Sequence, residues 1–406
     1  MAEAGALSVA RLGAQGDGIV ETADGPRYIP FALPGEQVRE SRGGTFELLS
    51  APSPERIAPV CRHFGACGSC AAQHMCDELY SDWKHGVVLE AFRQRGLAPP
   101  IAPLVRVSAG SRRRAVFTAR RDGGSVTLGY HRRRSHNLFD LAECPVLQPA
   151  IVAALPGLRA LVSALPPREL RLTVLATPAG LDVAIEAKGV RLLAPTAATL
   201  ARNATQLRLA RLTVNGEAVA ERASPDLPVG GAQVTPPPGA FVQAVEAAES
   251  EMVRLVTDAT AGAKRIADLF SGLGTFSLAL ARSARVLAVD QDTALLQALS
   301  GAARRTQGLK PIETAARDLF HAPLSAPELA GFDAVVFDPP RAGARAQAAE
   351  LARSSVKRIA AVSCNPATLA ADLRLLVDGG YRIERVTPID QFLYSPHIEA
   401  VAALAR

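Results

Sequence analysis

The sequence predicts an α/β protein with a doubly wound parallel sheet in its C-terminal part, preceded by a small β-barrel and a central α+β segment. Three observations support this prediction. After Phe241, apolar strand patterns alternate with helical patterns of about 10 to 15 residues, as in sheets that carry helices on both faces. Short apolar runs separated by glycine and proline fill the first 50 residues. A cysteine-rich loop with mixed strand and helix signals lies between the two parts.

Size and composition place the chain among ordinary globular proteins. Its 406 residues allow two or three domains, and 48% of them are hydrophobic and 21% charged. No apolar run reaches about 18 residues, so no membrane span is expected. The first twenty residues include Glu3, Arg11 and Asp17 and lack a continuous apolar stretch, which argues against a secretory signal. We therefore expect a cytoplasmic protein, and we expect it to be a monomer.

The N-terminal barrel is predicted over residues 1–52. Its candidate strands are short runs punctuated by glycine or proline, at 6–9, 18–20, 28–31 and 36–38. About five such strands in so short a segment favour a small OB-like barrel, a shape that often binds RNA.

The central domain is predicted over residues 53–228, and a stretch rich in proline and glycine at 223–239 marks its end. Its elements do not alternate regularly, which favours an α+β insert over a βα repeat. The predicted elements are a helix at 77–96, strands at 172–175 and 182–185, and a helix at 196–210.

The C-terminal domain, residues 229–406, carries the regular alternation. Its predicted strands are 265–269, 285–289, 312–315, 334–337, 359–362, 383–386 and 398–403.

A glycine-rich turn follows the first of these strands. Gly272 and Gly274 permit a tight turn and the close approach of a ligand to the backbone. Asp290 ends the next strand, where an acid suits the hydroxyl pair of a ribose. The third position of the dinucleotide fingerprint is Ser277 rather than glycine, which disfavours NAD. An acid, a glycine turn and a second acid one strand later resemble the S-adenosylmethionine site of class I methyltransferases, with Asp318 as the acceptor for the adenine amine.

Cys364 follows the strand at 359–362 and precedes Asn365-Pro366 and a helical pattern. A cysteine at this end of a parallel strand faces a cleft, where a nucleophile belongs. A nearby helix N-terminus predicts a lowered thiol pKa. The alternative is a buried cysteine that packs as a small hydrophobic residue.

The other cysteines suggest a metal centre. Cys61, Cys67 and Cys70 have the spacing C-x5-C-x2-C, and Cys144 follows after 73 intervening residues. Four thiolates suit a four-cysteine iron–sulfur cluster or tetrahedral zinc, and the spacing does not separate the two. Cys76 is expected to pack nearby without binding metal.

An arginine block lies between Arg106 and His136. Nine arginines and a single acid, Asp122, give this stretch a local charge of +8, whereas the whole chain carries +6. Such density favours a surface that contacts RNA phosphates, and a solvated charged face is the alternative.

Four motifs together give the chain a nearly end-to-end resemblance to the uracil-5 RNA methyltransferase family. They are Phe241-Val242-Gln243, Asp338-Pro339-Pro340-Arg341, Ser363-Cys364-Asn365-Pro366 and His397-Ile398-Glu399. Residues 32–36 resemble the TRAM domain, an RNA-binding barrel often attached to these enzymes, and residues 53–74 resemble the family's iron–sulfur loop.

This resemblance implies S-adenosylmethionine-dependent methylation of uridine C5 in structured RNA, with ribosomal RNA favoured over transfer RNA. Cys364 would be the nucleophile that adds to C6, and Glu399 the base that removes the C5 proton. A four-iron, four-sulfur cluster would be bound by Cys61, Cys67, Cys70 and Cys144. The cofactor pocket would be lined by Gln243, Phe270, Thr275, Asp290, Asp318 and Asp338, with Thr275 standing where the family often has asparagine.

The chemistry requires both a nucleophile and a base, since uracil C5 attacks a methylsulfonium poorly until a thiolate has added to C6. Methylation of an exocyclic base nitrogen would need neither. A non-catalytic RNA-binding or redox-sensing protein is a further alternative. His397 could orient the base or contact the ring, and Arg341 could contact RNA or the enolate oxygen.

Overall fold

The computed structural model describes residues 6–40, 46–49, 51–166 and 169–406. Within these ranges, no helix combines the length and the apolar character that crossing a membrane requires.

Two small antiparallel sheets form the N-terminal part. In the described residues each has three strands, in the orders β1-β5-β6 and β2-β3-β4. Val9, Val20, Ile29 and Val38 form their shared core. The strands are Leu7–Ser8 (β1), Arg11–Leu12 (β2), Gly18–Thr22 (β3), Gly25–Ile29 (β4), Gln37–Glu40 (β5) and Phe46–Leu48 (β6).

The helix predicted at 77–96 is confirmed as Asp77–Arg93 (α1). Cys76 is its N-cap, and the thiol accepts a hydrogen bond from Leu79 N at 3.5 Å. Gly96 has a φ of 65°, a left-handed conformation that suits glycine beyond a helix end. The short strand Val105–Arg106 (β7) follows.

The central segment forms a mostly antiparallel sheet with three helices. Among the described residues this sheet has seven strands in the order β10-β9-β8-β11-β12-β13-β14. The strands are Arg114–Asp122 (β8), Ser125–His131 (β9), Leu138–Asp140 (β10), Glu169–Thr177 (β11), Gly180–Glu186 (β12), Arg211–Val214 (β13) and Glu217–Glu221 (β14), and the helices are Pro149–Ala153 (α2), Leu155–Ser163 (α3) and Ala194–Gln206 (α4).

A hairpin and a helix lead into the C-terminal sheet. The hairpin pairs Leu227–Val229 (β15) with Ala232–Val234 (β16), and the helix is Glu246–Ala259 (α5).

The C-terminal sheet has the doubly wound topology that the sequence predicts. Its strands are Arg265–Leu269 (β17), Arg285–Asp290 (β18), Ile312–Ala316 (β19), Ala334–Phe337 (β20), Arg358–Ser363 (β21), Arg382–Asp390 (β22) and Glu399–Ala405 (β23). The helices that accompany them are Thr275–Leu280 (α6), Thr293–Arg305 (α7), Ala326–Leu329 (α8), Arg345–Arg353 (α9) and Pro366–Asp378 (α10).

The strand order in the described chain is β19-β18-β17-β20-β21-β23-β22-β7. Neighbouring strands are parallel except that β23 runs antiparallel to β21 and β22. The order reverses between β17 and β20, so the cleft at their carboxyl ends is the expected binding position.

Part of the predicted central domain packs against this sheet. β7 pairs with β22, and Val88, Phe92 and Leu97 share a core with the C-terminal strands. The proposed boundaries, after residue 52 and after residue 228, stay predictions.

Candidate functional site

The glycine-rich turn between β17 and α6 forms one wall of the site. Phe270, Gly272 and Gly274 have φ values of 60°, 53° and 86°, so the backbone is left-handed at three positions. A Cβ at Gly274 would lie 2.3 Å from Leu299 Cδ1. Gly272 N donates a hydrogen bond to Asp290 Oδ2 at 2.9 Å, which fixes the turn against the end of β18.

Asp268 lies beneath this turn and is fully buried. Ser277 Oγ donates a hydrogen bond to its Oδ2 at 2.5 Å, while Oδ1 has no partner among the described residues. Burial raises the pKa of Asp268 to about 7, with the negative charges of Asp338 and Asp290 adding to the shift.

A cavity of about 570 Å³ lies over the carboxyl ends of the strands. It has the size of a small-molecule pocket. The predicted residues that line it are Gln243, Phe270, Thr275, Asp290, Asp338, Cys364, His397 and Glu399. Residues from six separate segments of the chain thus meet around one space.

Asp318 is not among the residues that line the cavity, although Arg317 and Leu319 are. Its Oδ1 accepts a hydrogen bond from Phe320 N at 2.9 Å, and its Oδ2 is 2.8 Å from Nδ1 of His321. The Asp318 carboxylate therefore contacts residues of its own loop, Phe320 and His321. Its predicted contact with a cofactor stays a prediction.

Cys364 lies one residue before the N-cap of α10. Asn365 is that cap, and its side chain accepts a hydrogen bond from Ala367 N at 3.2 Å. The predicted lowering of the thiol pKa is wrong. Burial first, and then the negative charges of Glu399 and Asp338, raise the pKa of Cys364 to about 12, against the opposing effect of Arg341.

Glu399 is 3% exposed and belongs to a chain of amides and carboxylates. Gln391 Nε2 donates to Glu399 Oε1 at 2.9 Å and to Gln243 Oε1 at 2.8 Å. Gln243 Nε2 donates in turn to Asp338 Oδ2 at 3.3 Å. Burial and then the negative charge of Asp338 raise the pKa of Glu399, and burial raises that of Asp338. Glu399 Oε2 has no partner within the described part of the chain.

His397 is held neutral at the edge of the cavity. Burial first, and then the charges of Arg341, Lys84 and Arg112, lower its pKa to about 4. Its Nδ1 lies 3.0 Å from a guanidinium nitrogen of Arg341 and accepts from it, since the guanidinium can only donate.

The arginine block is not a uniform RNA-facing surface. Arg113 is 2% exposed and pairs with Glu249 at 2.7 Å, so the interpretation as a phosphate contact is wrong for this residue. Its Nε also donates to Gln243 O at 3.1 Å, which braces the segment that carries Gln243. Arg133 and Arg134 both pair with the buried Asp17.

A second cavity, of about 500 Å³, adjoins the first. Arg112, Arg133 and Arg134 line it, and it shares Phe392 and His397 with the first cavity. The two cavities therefore border each other at Phe392 and His397, and three arginines line the second one.

The predicted metal ligands lie in one region. Cys61 and Cys67 are buried and Cys70 and Cys144 half-buried. Burial first, and then the charges of the other three thiols, raise the pKa of Cys70 to about 12. All six cysteines are free. Over the described residues, however, no group of three or more histidine, cysteine, aspartate or glutamate side chains has an arrangement that could hold a metal ion. The donor chemistry fits a thiophilic metal, but the geometry does not show a site.

Two residues that support the site, Gln391 and Lys84, could not be identified from the sequence. Gln391 bridges Gln243 and Glu399, yet it lies in a segment that no predicted strand or motif covers. Lys84 is a charged residue inside a predicted helix, and only the tertiary structure shows it to be buried.

The sheet order and the cavity over its carboxyl ends define a class I methyltransferase fold. The Pyrococcus abyssi tRNA (uracil-54, C5)-methyltransferase, solved in complex with S-adenosyl-L-homocysteine, has the same fold. It superposes with a TM-score of 0.75 at 21% identity, over 98% of this chain and 99% of that one.

Sequence comparison identifies the family. Residues 226–406 match the family described as tRNA (Uracil-5-)-methyltransferase. A protein of Rhizobium meliloti (strain 1021) named as an RNA methyltransferase is 49% identical, over 99% of both chains. The 23S rRNA (uracil(1939)-C(5))-methyltransferase of Chromohalobacter salexigens is 35% identical, over 100% of this chain and 90% of its own. The chain belongs to the uracil-5 RNA methyltransferase family and is an RNA methyltransferase.

Proposed function

We propose that this enzyme methylates C5 of a uridine in 23S ribosomal RNA, with S-adenosylmethionine as methyl donor and Cys364 as covalent nucleophile. The observation that carries the proposal is the convergence of Cys364, Glu399 and the glycine-rich turn on one cavity.

The wall formed by the turn suits the cofactor. S-adenosylmethionine, when bound, supplies an electrophilic methyl group. The remaining acceptor capacity of Asp290 suits ribose hydroxyls, and Gly272 and Gly274 let a ligand approach the backbone. Phe270 and Phe320 have ring centroids 5.4 Å apart and offer an aromatic surface to the adenine ring of the cofactor. We assign Gln243, Thr275 and Asp338 to the methionine end of the cofactor pocket and Asp318 to the adenine end.

The covalent step begins with the thiolate of Cys364, which adds to C6 of the uracil. The C5–C6 double bond opens, and its electron pair becomes an enolate with carbanion character at C5, which then takes the methyl group. Because burial, and then the charges of Glu399 and Asp338, raise the pKa of the thiol, Cys364 has to lose its proton to solvent as the substrate binds. The positive charge of Arg341 favours that thiolate.

Release requires a base. The methylated adduct carries hydrogen at C5 and sulfur at C6. Glu399 accepts the C5 proton, the C5–C6 double bond re-forms, and the Cys364 thiolate leaves. The unpartnered Oε2 of Glu399 is free for this proton, while Oε1 is held by Gln391.

The position of Cys364 in the cavity and the arginines of the neighbouring cavity support an RNA partner. A uridine in folded RNA has to be extruded to reach Cys364. Arg112 and Arg134, at the second cavity, would contact the adjoining phosphates. We assign residues 1–52 to a TRAM-like barrel, because the described strands form small antiparallel sheets there.

A four-iron, four-sulfur cluster bound by Cys61, Cys67, Cys70 and Cys144 remains part of the proposal, supported by the presence of four free thiols in one region. Anaerobically purified protein is expected to contain about four irons per chain. Zinc, or no metal, would contradict this assignment.

Ribosomal RNA is favoured over transfer RNA because the relative named for 23S rRNA is similar over this whole chain at 35% identity. Transfer RNA is the second candidate, supported by the description of the matching family.

The test maps 5-methyluridine in both RNA classes from cells with the gene, without it, and with Cys364→Ala. Loss confined to one position of 23S rRNA, restored by the wild type but not by the variant, is expected. Loss of 5-methyluridine only from transfer RNA would show that transfer RNA, not 23S rRNA, is the substrate. Unchanged 5-methyluridine, together with no covalent adduct on 5-fluorouridine RNA, would favour a non-catalytic RNA-binding protein.

A further inference from the structure

A buried polar cluster lies beneath the segment that connects β22 to β23, which we call the catalytic loop (residues 391–398). Its members are Lys84 and Tyr80 of α1 and Asp390 at the end of β22. Lys84 and Asp390 are fully buried, and Lys84 Nζ lies 2.8 Å from Asp390 Oδ1. Tyr80 is 1% exposed, and its hydroxyl group donates a hydrogen bond to Asp390 Oδ2.

The cluster binds the backbone of the catalytic loop at several points. Lys84 Nζ donates to the carbonyl oxygen of His397 and to that of Phe392, the latter at 3.5 Å. The Tyr80 hydroxyl accepts a hydrogen bond from Tyr394 N at 2.9 Å. Both ends and the middle of the loop are therefore attached to side chains of α1.

These attachments lie close to the reacting groups. Gln391, which holds Glu399 Oε1, directly follows Asp390, and His397 lies two residues before Glu399. Neither Lys84 nor Tyr80 lines the cavity, so they reach the chemistry only through the loop.

The cluster is costly in free energy, since an ammonium group and a carboxylate are both removed from water. Burial lowers the pKa of Lys84, and the charge of Asp390 opposes that effect. A buried ion pair of this kind is often no more stabilising than apolar side chains of similar volume. Its geometry, with one ammonium group contacting a carboxylate and two carbonyls, instead specifies a single position for the loop.

We propose that Lys84 is a positioning residue for proton removal: through Asp390 and the His397 carbonyl it holds the catalytic loop so that Glu399 meets C5 of the adduct. The inference rests on the proposed function, because it requires Glu399 to be the base. A displacement of about 1 Å in such a group can reduce a rate about 100-fold.

The test compares Lys84→Met with Arg211→Met. Arg211 and Asp182 form another buried ion pair, 2.7 Å apart in the central sheet, and neither residue lines a cavity described above. The control therefore also removes the cation of a buried ion pair, without contact with the catalytic loop. A second variant, Lys84→Met with Asp390→Leu, removes both charges and avoids leaving an unpaired carboxylate.

For both Lys84 variants, kcat on the substrate RNA is expected to fall about 100-fold, with the KM for RNA and the Kd for S-adenosylmethionine within threefold of wild type. The methylated protein–RNA adduct is expected to accumulate, because addition still occurs and elimination is slow. If kcat of both Lys84 variants stays within threefold of that of Arg211→Met, or if no adduct accumulates, the positioning role is refuted.

Failure of the underlying function gives a different result. Wild-type protein would then form no adduct on RNA that contains 5-fluorouridine, whereas failure of the positioning role alone leaves that wild-type adduct intact.

Discussion

Replacement of Glu399 by glutamine tests the proposed base with little change in shape. Oε1 keeps its hydrogen bond from Gln391, and an amide group takes the position of Oε2, which has no partner among the described residues. An unpaired buried donor costs about 1 to 3 kcal/mol. Removal of a carboxylate that burial and Asp338 both disfavour offsets that cost, so we expect the variant to fold.

The kinetic effect is expected to be large and confined to elimination. A positioned general base contributes about 100- to 10,000-fold, which corresponds to about 3 to 5.5 kcal/mol in the barrier for release. Adduct formation is expected to keep its rate or to accelerate. The negative charge of Glu399 raises the pKa of Cys364, so its removal increases the thiolate fraction.

The assay mixes the variant with substrate RNA and methyl-labelled S-adenosylmethionine and follows the label on a denaturing gel. A labelled protein–RNA band is expected in near-stoichiometric amount, with free 5-methyluridine product almost absent. Glu313→Gln, at an exposed position of β19, is the control for the same chemical change. Combining Glu399→Gln with Cys364→Ala is expected to remove the band. Multiple turnover within tenfold of wild type would refute the assignment of Glu399 as the base.

The remaining predictions concern pH and backbone strain. The pKa of Cys364 and that of Glu399 are both raised, and both groups act deprotonated, so kcat/KM is expected to rise from pH 6 to pH 9; a decrease over that range would contradict these roles. Gly274→Ala combines a left-handed φ of 86° with a Cβ 2.3 Å from Leu299 Cδ1, and is expected to lower the free energy of unfolding by about 2 to 5 kcal/mol in urea titrations. Gly301→Ala, inside α7, is the control: its Cβ would meet only the flexible Arg305 guanidinium, at 3.4 Å, and the variant is expected to stabilise slightly. Equal effects of the two variants would exclude strain at the turn.

Much of the architecture was predictable because its determinants are local. The alternation of apolar runs and helical patterns located β17 to β23 of the C-terminal sheet but not β7. Most of the observed strand ends lie within a few residues of the predicted ones. The longest extension is β22, predicted at 383–386 and observed as Arg382–Asp390. Its polar residues and its proline do not form a strand pattern. The segment is a strand because it lies between β23 and β7 in the folded sheet, and a short stretch of sequence does not show that burial.

The candidate site was partly predictable for the same reason. Carboxyl ends of parallel strands converge at one edge, so the turn after β17, Asp338 after β20 and Cys364 after β21 were expected to meet. The pKa of Cys364 was not predictable. It depends first on burial and then on the charges of Glu399, from an antiparallel strand, and Asp338, which together outweigh a nearby helix terminus.

The sequence by itself determined the family, the order of the strands in the chain and the residues that the proposed chemistry requires, because motifs and periodicity are written along the chain. The tertiary structure alone decided which arginines are buried, how Gln391 links Gln243 to Glu399, and that α1 supports the catalytic loop with Lys84. These contacts join residues far apart in the chain, up to 313 positions for Lys84 and His397. No local pattern encodes them, since burial, charge and hydrogen bonding at such positions are defined only after the segments have packed together.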